Sequence, residues 1–491
     1  MAFQGSRGIW ESGEGYYAGA ACSMFQNHQW MLPSIYGSPF LDKPPLLYWG
    51  MILCMKCLGP HTWGARLFIA LCFLGTTLMI KKIGDDFWSP VEGQWAAIIY
   101  ATMLLPFAAA NIITPDTPLT FLSTTMFFFF LKAVRAPVQN FNPWKILFFV
   151  FIGLGFLTKG PAILVLIPSL MIYLIYQKKL KQFLLHWDIG LGILISMILG
   201  LSWYVWIAVH IPGSLKYFLN NEVVGRLFTA QYHRNNGFWG TFIYIPVLVL
   251  GTLPWSISWI PQISKSYHQL QKNWNYRFQQ HTAFLFILCW ILPSFLIFSL
   301  AQSRLPLYVL PLFPPCALAT ARMLKVSDST FGLKYTLVKK HLNSLLLGLL
   351  IIGLLILRWS LAWIPTSQNT QTLCHTLQKI IPASEPIVLI NQNIFGMQMY
   401  LPNSILCTKL GTNYPLFHLQ KNLTTILPHM DLKNTSVAFL ISSQQKKQVE
   451  HLLLQFGILE KTIRLPFQRM ILFYDLKSQA HLYKNRVKST G

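Results

Sequence analysis

The chain has 491 residues, of which 53% are hydrophobic and only 11% are charged, and its net charge is +24. So few charges over such a length exclude an ordinary soluble globular protein and predict an integral membrane protein. Because most of the cations fall in connections between apolar segments or in the C-terminal tail, we expect anionic membrane lipids as their partner and not nucleic acid.

Residues 1–62 precede the first long apolar segment and are predicted to form an outer, periplasmic first loop with amphipathic helices. The loop begins MAFQGSRGIWESGEGYYA, without a signal peptide or an apolar run. Because the alternating charge of the later connections places this loop outside the cytoplasm, something must carry it across the membrane. We therefore expect an upstream span that this sequence lacks.

Residues 63–360 are predicted to form a multi-span membrane domain. A span needs about 20 apolar residues to cross a hydrocarbon core of ~30 Å, so several of the apolar segments must tilt or rely on Trp and Tyr at the interface. Ten such segments occur: 63–80, 94–110, 118–131, 144–157, 161–176, 188–209, 238–260, 283–300, 305–321 and 342–357.

The connections between these segments alternate in charge. Five of them are plainly basic, and the positive-inside rule makes those cytoplasmic. The others hold Asp116, Lys159, the stretch 222–234 and Arg304, and they share the outer side with the first loop. The basic connections contain, in order, Lys81 and Lys82; Lys132, Arg135 and Lys145; Lys178, Lys179 and Lys181; Lys265, Lys272 and Arg277; and Arg322, Lys325, Lys334, Lys339 and Lys340.

Residues 361–491 differ in character from the membrane domain. Short strands are predicted at 386–391, 436–441 and 470–474, and an amphipathic helix at 444–456. The predicted fold class is therefore an all-α polytopic membrane domain followed by a small soluble α/β domain, which the charge pattern places outside the cytoplasm.

The sequence gives little indication of a functional cysteine site or of a metal site. Cys54 and Cys57 form a CxxC in an apolar stretch without a second pair or a nearby histidine, so we interpret these two as small hydrophobic residues. The other six cysteines are scattered singly, which argues against a disulfide framework. The outer loops lack a DxD sequence and clustered histidines, and no metal or other cofactor is expected.

Two outer motifs contain carboxylates, which are rare here because the chain has only 15 acidic residues. Asp116 lies in IITPDTPLTF, where it could cap a helix N-terminus, act on a substrate, or do both. Asp42 and Lys43 lie in FLDKPPLLYW, where they could form a solvated turn or part of a site.

Outer cations form the second group of candidates. Lys159 in TKGP and Arg304 in SRLP lie against the positive-inside bias, so we predict that they hold an anion, most plausibly a phosphate. The alternative is that each merely reaches to the interface. His233 and Arg234 form either a solvated loop pair or a contact to a phosphate or sugar.

Several motifs occur together and in order: GEGYYA, QNHQWMLPSIYGSPFLDKPPLLYW, TPDTPLTF, GFLTKGP, LPW and FSLAQSRLPLYVLP. This set resembles the membrane glycosyltransferases that use a polyprenyl-phosphate sugar donor. The similarity is strongest to the lipid A-modifying aminoarabinose transferase group and weaker to the protein O-mannosyltransferases. It covers roughly residues 10–320.

The resemblance implies a GT-C fold with an outer cavity and sugar transfer at the periplasmic face of the inner membrane. It places Lys43, Lys159, Arg304 and Tyr308 at the donor phosphate and sugar, and Asp116 at the family's second-loop aspartate. The acceptor would be lipid A, another envelope glycan or a protein. The first loop departs from the family pattern, since both its usual aspartate and its usual arginine are absent.

Because of this departure, Glu14 is the nearest remaining carboxylate to serve as a base, with Glu11 in reserve. The expected catalytic carboxylates are therefore Glu14, Asp116 and Asp42. Two other classes of function stay open: a non-catalytic relative that acts as a binding or assembly protein, and a transporter of lipid-linked sugars. A transporter should show inverted repeats, which the sequence does not display.

Overall fold

The structure is a computed structural model, and it contains two compact units. The first comprises Met1–Ala2, Asp42–Gly50 and Arg66–Arg358; the second comprises Phe3–Leu41, Met51–Ala65 and Trp359–Gly491. The structure describes residues 4–11, 13–137, 141–225, 229, 234–235, 237–260, 282–330, 336–364, 366–381, 387–390, 392, 394–401, 405–408, 437–442, 444, 446–447, 449, 451, 460–465 and 469–474.

Helices dominate the described residues. They are, in chain order, α1 (Gly13–Gln26), α2 (Leu46–Leu58), α3 (Thr62–Phe87), α4 (Pro90–Thr102), α5 (Leu104–Ala109), α6 (Asp116–Arg135), α7 (Pro143–Lys159), α8 (Ile167–Tyr176), α9 (Leu180–Leu184), α10 (Asp188–His210), α11 (Ser214–Tyr217), α12 (Tyr244–Gly251), α13 (Thr282–Leu300), α14 (Phe313–Thr330), α15 (Thr336–Ser360) and α16 (Thr370–Ile380). Short 3₁₀ segments cover Gly160–Leu166, Phe238–Phe242, Trp255–Ser258, Pro306–Leu312 and Phe395–Met399, and a π-helix covers Phe218–Val224.

Six helical stretches among the described residues are long and apolar enough to cross a membrane. Shorter apolar helices accompany them at Leu46–Leu58, Phe238–Gly251 and Leu345–Ser360. The predicted segment 94–110 is divided at Met103 between α4 and α5, because Met103 has extended backbone angles. The count of ten spans stays a prediction. The six stretches are Thr62–Phe87, Asp116–Arg135, Pro143–Tyr176, Asp188–His210, Thr282–Leu300 and Pro306–Leu324.

The stretch Pro143–Tyr176 folds back on itself. A Cβ placed on Gly155 would lie 2.7 Å from Cγ1 of Ile163, whereas residues eight apart in one continuous helix are separated by about 12 Å along its axis. The chain therefore reverses near Gly160, and the 3₁₀ segment Gly160–Leu166 packs against the end of α7.

Helix α6 buries a row of hydroxyl side chains in the core of the first unit. Thr120 donates to the carbonyl of Asp116 at 2.8 Å, and Thr124 donates to the carbonyl of Thr120 at 2.7 Å. Because each hydroxyl bonds within its own helix, it can be buried without an unsatisfied donor. Phe127 of α6 stacks on Trp290 of α13 with ring centroids 3.7 Å apart, which fixes these two helices against each other.

The second unit contains a five-stranded sheet in the order β4-β3-β5-β7-β6. Strand β3 pairs in parallel with β4 and β5, whereas β7 pairs antiparallel with β5 and β6. Three of these strands overlap the three that the sequence predicts. The strands are β3 (Ile387–Ile390), β4 (Ile405–Thr408), β5 (Val437–Ser442), β6 (Glu460–Leu465) and β7 (Arg469–Tyr474), and a hairpin of β1 (Ser34–Ile35) and β2 (Ser38–Pro39) lies in the N-terminal part of the unit.

Side chains of helix α16 and of the central strands form the core of this unit. Leu373 and Leu377 of α16 pack with Ile387 and Leu389 of β3. Asn369 caps α16 by accepting hydrogen bonds from the backbone of Gln371 and Thr372. Most of the predicted helix 444–456 lies outside the described residues, as do His233 and the basic residues Lys265, Lys272, Arg277 and Lys334.

Candidate active site

A cavity of about 870 Å³, counted to its open mouth, lies in the first unit. Its walls come from the segment before α2, from the turn after α7, and from the π-helix, α13 and the 3₁₀ segment Pro306–Leu312. Apolar side chains such as Val165, Phe218 and Phe298 cover much of the wall. The polar side chains on it are Asp42, Lys43, Lys159, Tyr204, Glu222, Ser303 and Tyr308.

Lys43 is held in the wall by two carboxylates. Its Nζ lies 3.0 Å from Oδ2 of Asp42 and 3.1 Å from Oε2 of Glu222, and its side chain is only 4% exposed. The following Pro44 restricts Lys43 to extended backbone angles, which directs the chain into α2. The alternative of a solvated turn is therefore wrong, because Lys43 is buried.

Lys159, at the end of α7, forms an ion pair with Asp116, at the start of α6. The ammonium group donates to Oδ1 of Asp116, and both side chains are less than a tenth exposed. The same Nζ lies 4.1 Å from the ring centroid of Tyr308, within the range of a cation–π interaction. The helix-capping alternative for Asp116 is wrong, since the N-cap residue of α6 is Pro115.

Gly160 shapes the turn that carries Lys159. Its backbone angles are φ 60° and ψ −139°, a region open essentially to glycine, and a Cβ here would lie 2.9 Å from the hydroxyl of Tyr204. We expect Gly160→Ala to destabilise the protein by about 1–3 kcal/mol. Thermal unfolding in detergent measures this.

Gly190 provides the matched control for that variant. It lies in α10, and nothing approaches within 4 Å of a Cβ placed there. Gly190→Ala should therefore be neutral or stabilising by up to about 1 kcal/mol, because alanine is the better helix former. Equal unfolding temperatures for the two variants would contradict a special role for Gly160.

Arg304 is bound by backbone carbonyl groups. Its Nη1 donates to the carbonyl of Asn235 at 2.6 Å and its Nε to that of Ser299 at 2.9 Å, and the residue is 3% exposed. The adjacent Ser303 lines the cavity. Arg234 donates from Nη1 to the hydroxyl of Tyr308 at 3.2 Å, which links it to the wall beside Lys159.

These contacts predict how variants of Arg304 behave. Arg304→Ala should loosen Asn235 and destabilise the protein by about 1.5–3 kcal/mol, because it removes the hydrogen bonds from a charged group to the carbonyl groups of Ser299 and Asn235. Thermal unfolding and donor binding should be measured together. Arg304→Lys should recover only part of the stability, since one ammonium cannot reach both carbonyl groups as the guanidinium does. Lost donor affinity at unchanged stability would instead assign Arg304 to the donor phosphate.

Glu222 is the site residue that the sequence analysis placed on the outer side without choosing it. It lies in the π-helix Phe218–Val224, a rare form that is frequent at functional sites, and it reaches Lys43 from 179 residues away. The sequence gives only a slight indication that Glu222 belongs to the site, namely that it is a carboxylate in a chain that contains few of them. Tyr204, in the C-terminal third of α10, was also missed.

Glu14 belongs to the second unit. Its Oε2 lies 3.0 Å from Nη2 of Arg7 and accepts a hydrogen bond from the backbone N–H of Trp10 at 3.1 Å. The two side chains of this ion pair are 1% and 3% exposed. Glu11, the reserve candidate, accepts from the backbone N–H of Gly396 and from the hydroxyl of Thr370.

Seven of the cysteines are free, and all of these but Cys57 are buried: Cys22, Cys54, Cys57, Cys72, Cys289, Cys316 and Cys374. Burial raises the pKa of the Cys22 thiol to about 12, so that this thiol stays protonated at neutral pH. Of the CxxC pair, Cys54 is buried, as expected for a small hydrophobic residue, whereas Cys57 is exposed.

Comparisons with known proteins place this geometry in context. A family model described as Dolichyl-phosphate-mannose-protein mannosyltransferase matches residues 42–206. An undecaprenyl phosphate-alpha-4-amino-4-deoxy-L-arabinose arabinosyl transferase of Serratia proteamaculans is 26% identical over 352 residues, which are 71% of this chain and 61% of the relative. A second such transferase, from Sodalis glossinidius, is 30% identical over 372 residues, 73% of this chain and 63% of the relative.

A third relative of the same description, from Pseudomonas fluorescens, is 26% identical over 445 residues, 86% of this chain and 77% of the relative. The chain thus spans less than two thirds of the length of the Serratia and Sodalis proteins. It spans 77% of the length of the Pseudomonas protein.

The fold has a match among solved structures. The crystal structure of ArnT from Cupriavidus metallidurans bound to undecaprenyl phosphate superposes with a TM-score of 0.76, covering 96% of this chain and 95% of that one at 15% identity. The apo form of the same protein gives a TM-score of 0.73. The resemblance found in the sequence is confirmed: this multi-pass membrane protein has the fold of ArnT and is similar in sequence to the membrane glycosyltransferases of the aminoarabinose transferase type.

Proposed function

We propose that the chain transfers a sugar from a polyprenyl-phosphate donor to an acceptor at the periplasmic face of the inner membrane. The cavity in the first unit carries this proposal, because it combines two buried lysines with an apolar wall. A polyprenyl phosphate has the same two properties, an anionic head and a long apolar tail. The names of the similar transferases support an undecaprenyl phosphate-linked amino sugar as donor. The resemblance of the motifs to the lipid A-modifying group suggests lipid A as the acceptor.

Lys43 and Lys159 would hold the donor phosphate in this proposal. As the bond between the sugar and the phosphate oxygen breaks, negative charge grows on the leaving polyprenyl phosphate. Fixed ammonium groups in a site that excludes water stabilise that charge and so lower the barrier. Tyr308 lies against Lys159 and accepts a hydrogen bond from Arg234, so it would keep the lysine oriented.

The carboxylates would act on the acceptor. Asp42 lies on the cavity wall, and Asp116 is within hydrogen-bonding distance of Lys159. A carboxylate there can orient an acceptor hydroxyl or take its proton as the sugar is transferred. An acceptor that is itself a phosphate is already ionised, so orientation would suffice.

The test is the mass of lipid A from cells with and without the gene. We expect an added amino-pentose mass that depends on the gene and disappears in the Lys43→Ala variant at normal protein level. Transfer to a protein instead would favour a mannosyltransferase-like activity, the second candidate, which the family model over 42–206 supports. Donor binding without turnover in membranes would favour a non-catalytic binding protein. Movement of the donor across the membrane would favour a transporter.

The positive-inside rule supports the proposed orientation, with the basic connections in the cytoplasm. Asn220 and Lys181 flank opposite ends of α10, whose 23 residues span about 35 Å. In a chain carrying Cys57→Ser, we expect an impermeant thiol reagent to label Asn220→Cys in intact cells and not Lys181→Cys. The reverse labelling pattern would invert the proposed orientation.

A further inference from the structure

A second cavity, of about 410 Å³ when its open mouth is included, lies in the first unit between the C-terminal end of α6, the start of α7 and the chain around α9. The proposed function does not use it. Its polar lining comprises Asn142, Lys145, Lys179, Gln182, His186 and Asp188. This set contains two lysines, one histidine and a single carboxylate.

The two cavities lie at opposite ends of the same pair of helices. Helix α6 has 20 residues and is therefore about 30 Å long, the thickness of a hydrocarbon core. Asp116 begins it beside Lys159, and Val134 near its other end lines the second cavity. Helix α7 repeats this arrangement, with Lys159 at its end and Lys145 near its start. The second cavity therefore opens at the other membrane face, the one that the basic connections mark.

The single carboxylate of this cavity is already neutralised. Asp188 is fully buried, and its Oδ1 lies 2.9 Å from Nζ of Lys145 and 2.9 Å from Nδ1 of His186. Lys179 is bound differently, since its Nζ donates to the carbonyl of Val134 at 2.9 Å. An ammonium group has three donors, so Lys179 can give a further hydrogen bond to an anion in the cavity.

Exposed aromatic side chains surround the cavity. Phe141, Trp144 and Trp187 are between 38% and 60% exposed, and the rings of Phe141 and Trp187 stack with centroids 5.9 Å apart. They come from residues directly beside Asn142, Lys145 and Asp188. Large exposed aromatic residues at the end of a span are typical of the headgroup level of a membrane. The cavity is thus positioned to meet lipid headgroups.

We propose that this second cavity binds the phosphate headgroup of an anionic membrane phospholipid, with Lys179 as the main contact to the phosphate. Basic pockets between membrane helices on the cytoplasmic side are suited to such headgroups. The neutralised Asp188 leaves the cavity with a positive charge, and the aromatic side chains would pack against the upper part of the acyl chains.

The test compares two variants that remove the same charge. Lys179 lines the cavity, whereas Lys181, two residues along in α9, is exposed. The protein is purified in detergent, and native mass spectrometry measures its retention of phosphatidylglycerol and of phosphatidylcholine. We expect the wild type to prefer phosphatidylglycerol. Lys179→Gln should lower this preference by about tenfold, which is the effect of losing a charged hydrogen bond. Lys181→Gln should leave the preference unchanged.

Other results would overturn the proposal. An equal loss of the preference for phosphatidylglycerol in the two variants would show general attraction to a basic surface and not a specific binding site. Binding of inorganic phosphate as tight as that of phosphatidylglycerol would assign the cavity to a free anion. Donor binding is measured on Lys179→Gln at the same time, and because the donor cavity lies at the opposite face, it should remain normal.

Discussion

Replacing Lys159 with methionine should abolish sugar transfer and also lower the stability of the protein. The ammonium group pairs with Asp116, and both side chains are less than a tenth exposed. Removing one partner of a buried pair leaves the other charge uncompensated, which costs about 3–5 kcal/mol. Thermal unfolding, donor binding and turnover should be measured on the same purified sample.

A double variant separates the two roles of Lys159. In Lys159→Met/Asp116→Asn the uncompensated charge is gone, so stability should return most of the way to that of the wild type. If Lys159 also contacts the donor phosphate, donor binding will remain weak in the double variant. Recovery of both stability and donor binding would show that Lys159 only neutralises Asp116, and the phosphate would then have to bind elsewhere.

Replacing Glu14 with glutamine is expected to destabilise the protein by about 3–5 kcal/mol, because it leaves Arg7 without its charged partner in a buried position. The glutamine oxygen can still accept the hydrogen bond from Trp10, so the loss should come from the ion pair. The unfolding midpoint of the purified variant measures it.

The matching control neutralises both partners. Arg7→Met/Glu14→Gln should recover stability and, if Glu14 serves only to pair with Arg7, turnover as well. A general base behaves differently: Glu14→Gln would abolish turnover at nearly unchanged donor binding, and the double variant would stay inactive. Persistent inactivity of a stable double variant would therefore assign Glu14 to the chemistry.

The order of apolar segments and basic connections was sufficient to predict a multi-span membrane protein, because hydrophobic length and lysine distribution act locally along the chain. The sequence also identified Lys159 and Arg304 as candidates, since a cation that lies against the predicted charge bias is costly without a role. The ordered motifs identified the family resemblance, which the sequence similarity to the aminoarabinose-type transferases confirms. These properties were readable from the sequence by itself.

Only the tertiary structure decided which partners these groups have. Lys43 meets Glu222 across 179 residues, a contact that depends on how the π-helix packs. Arg304 and Lys159 have the same sequence signal, yet Arg304 binds backbone carbonyl groups while Lys159 lines the cavity. Charge and hydropathy are properties of single residues, whereas the environment of a buried side chain depends on residues distant in the chain, and so it required the packed structure.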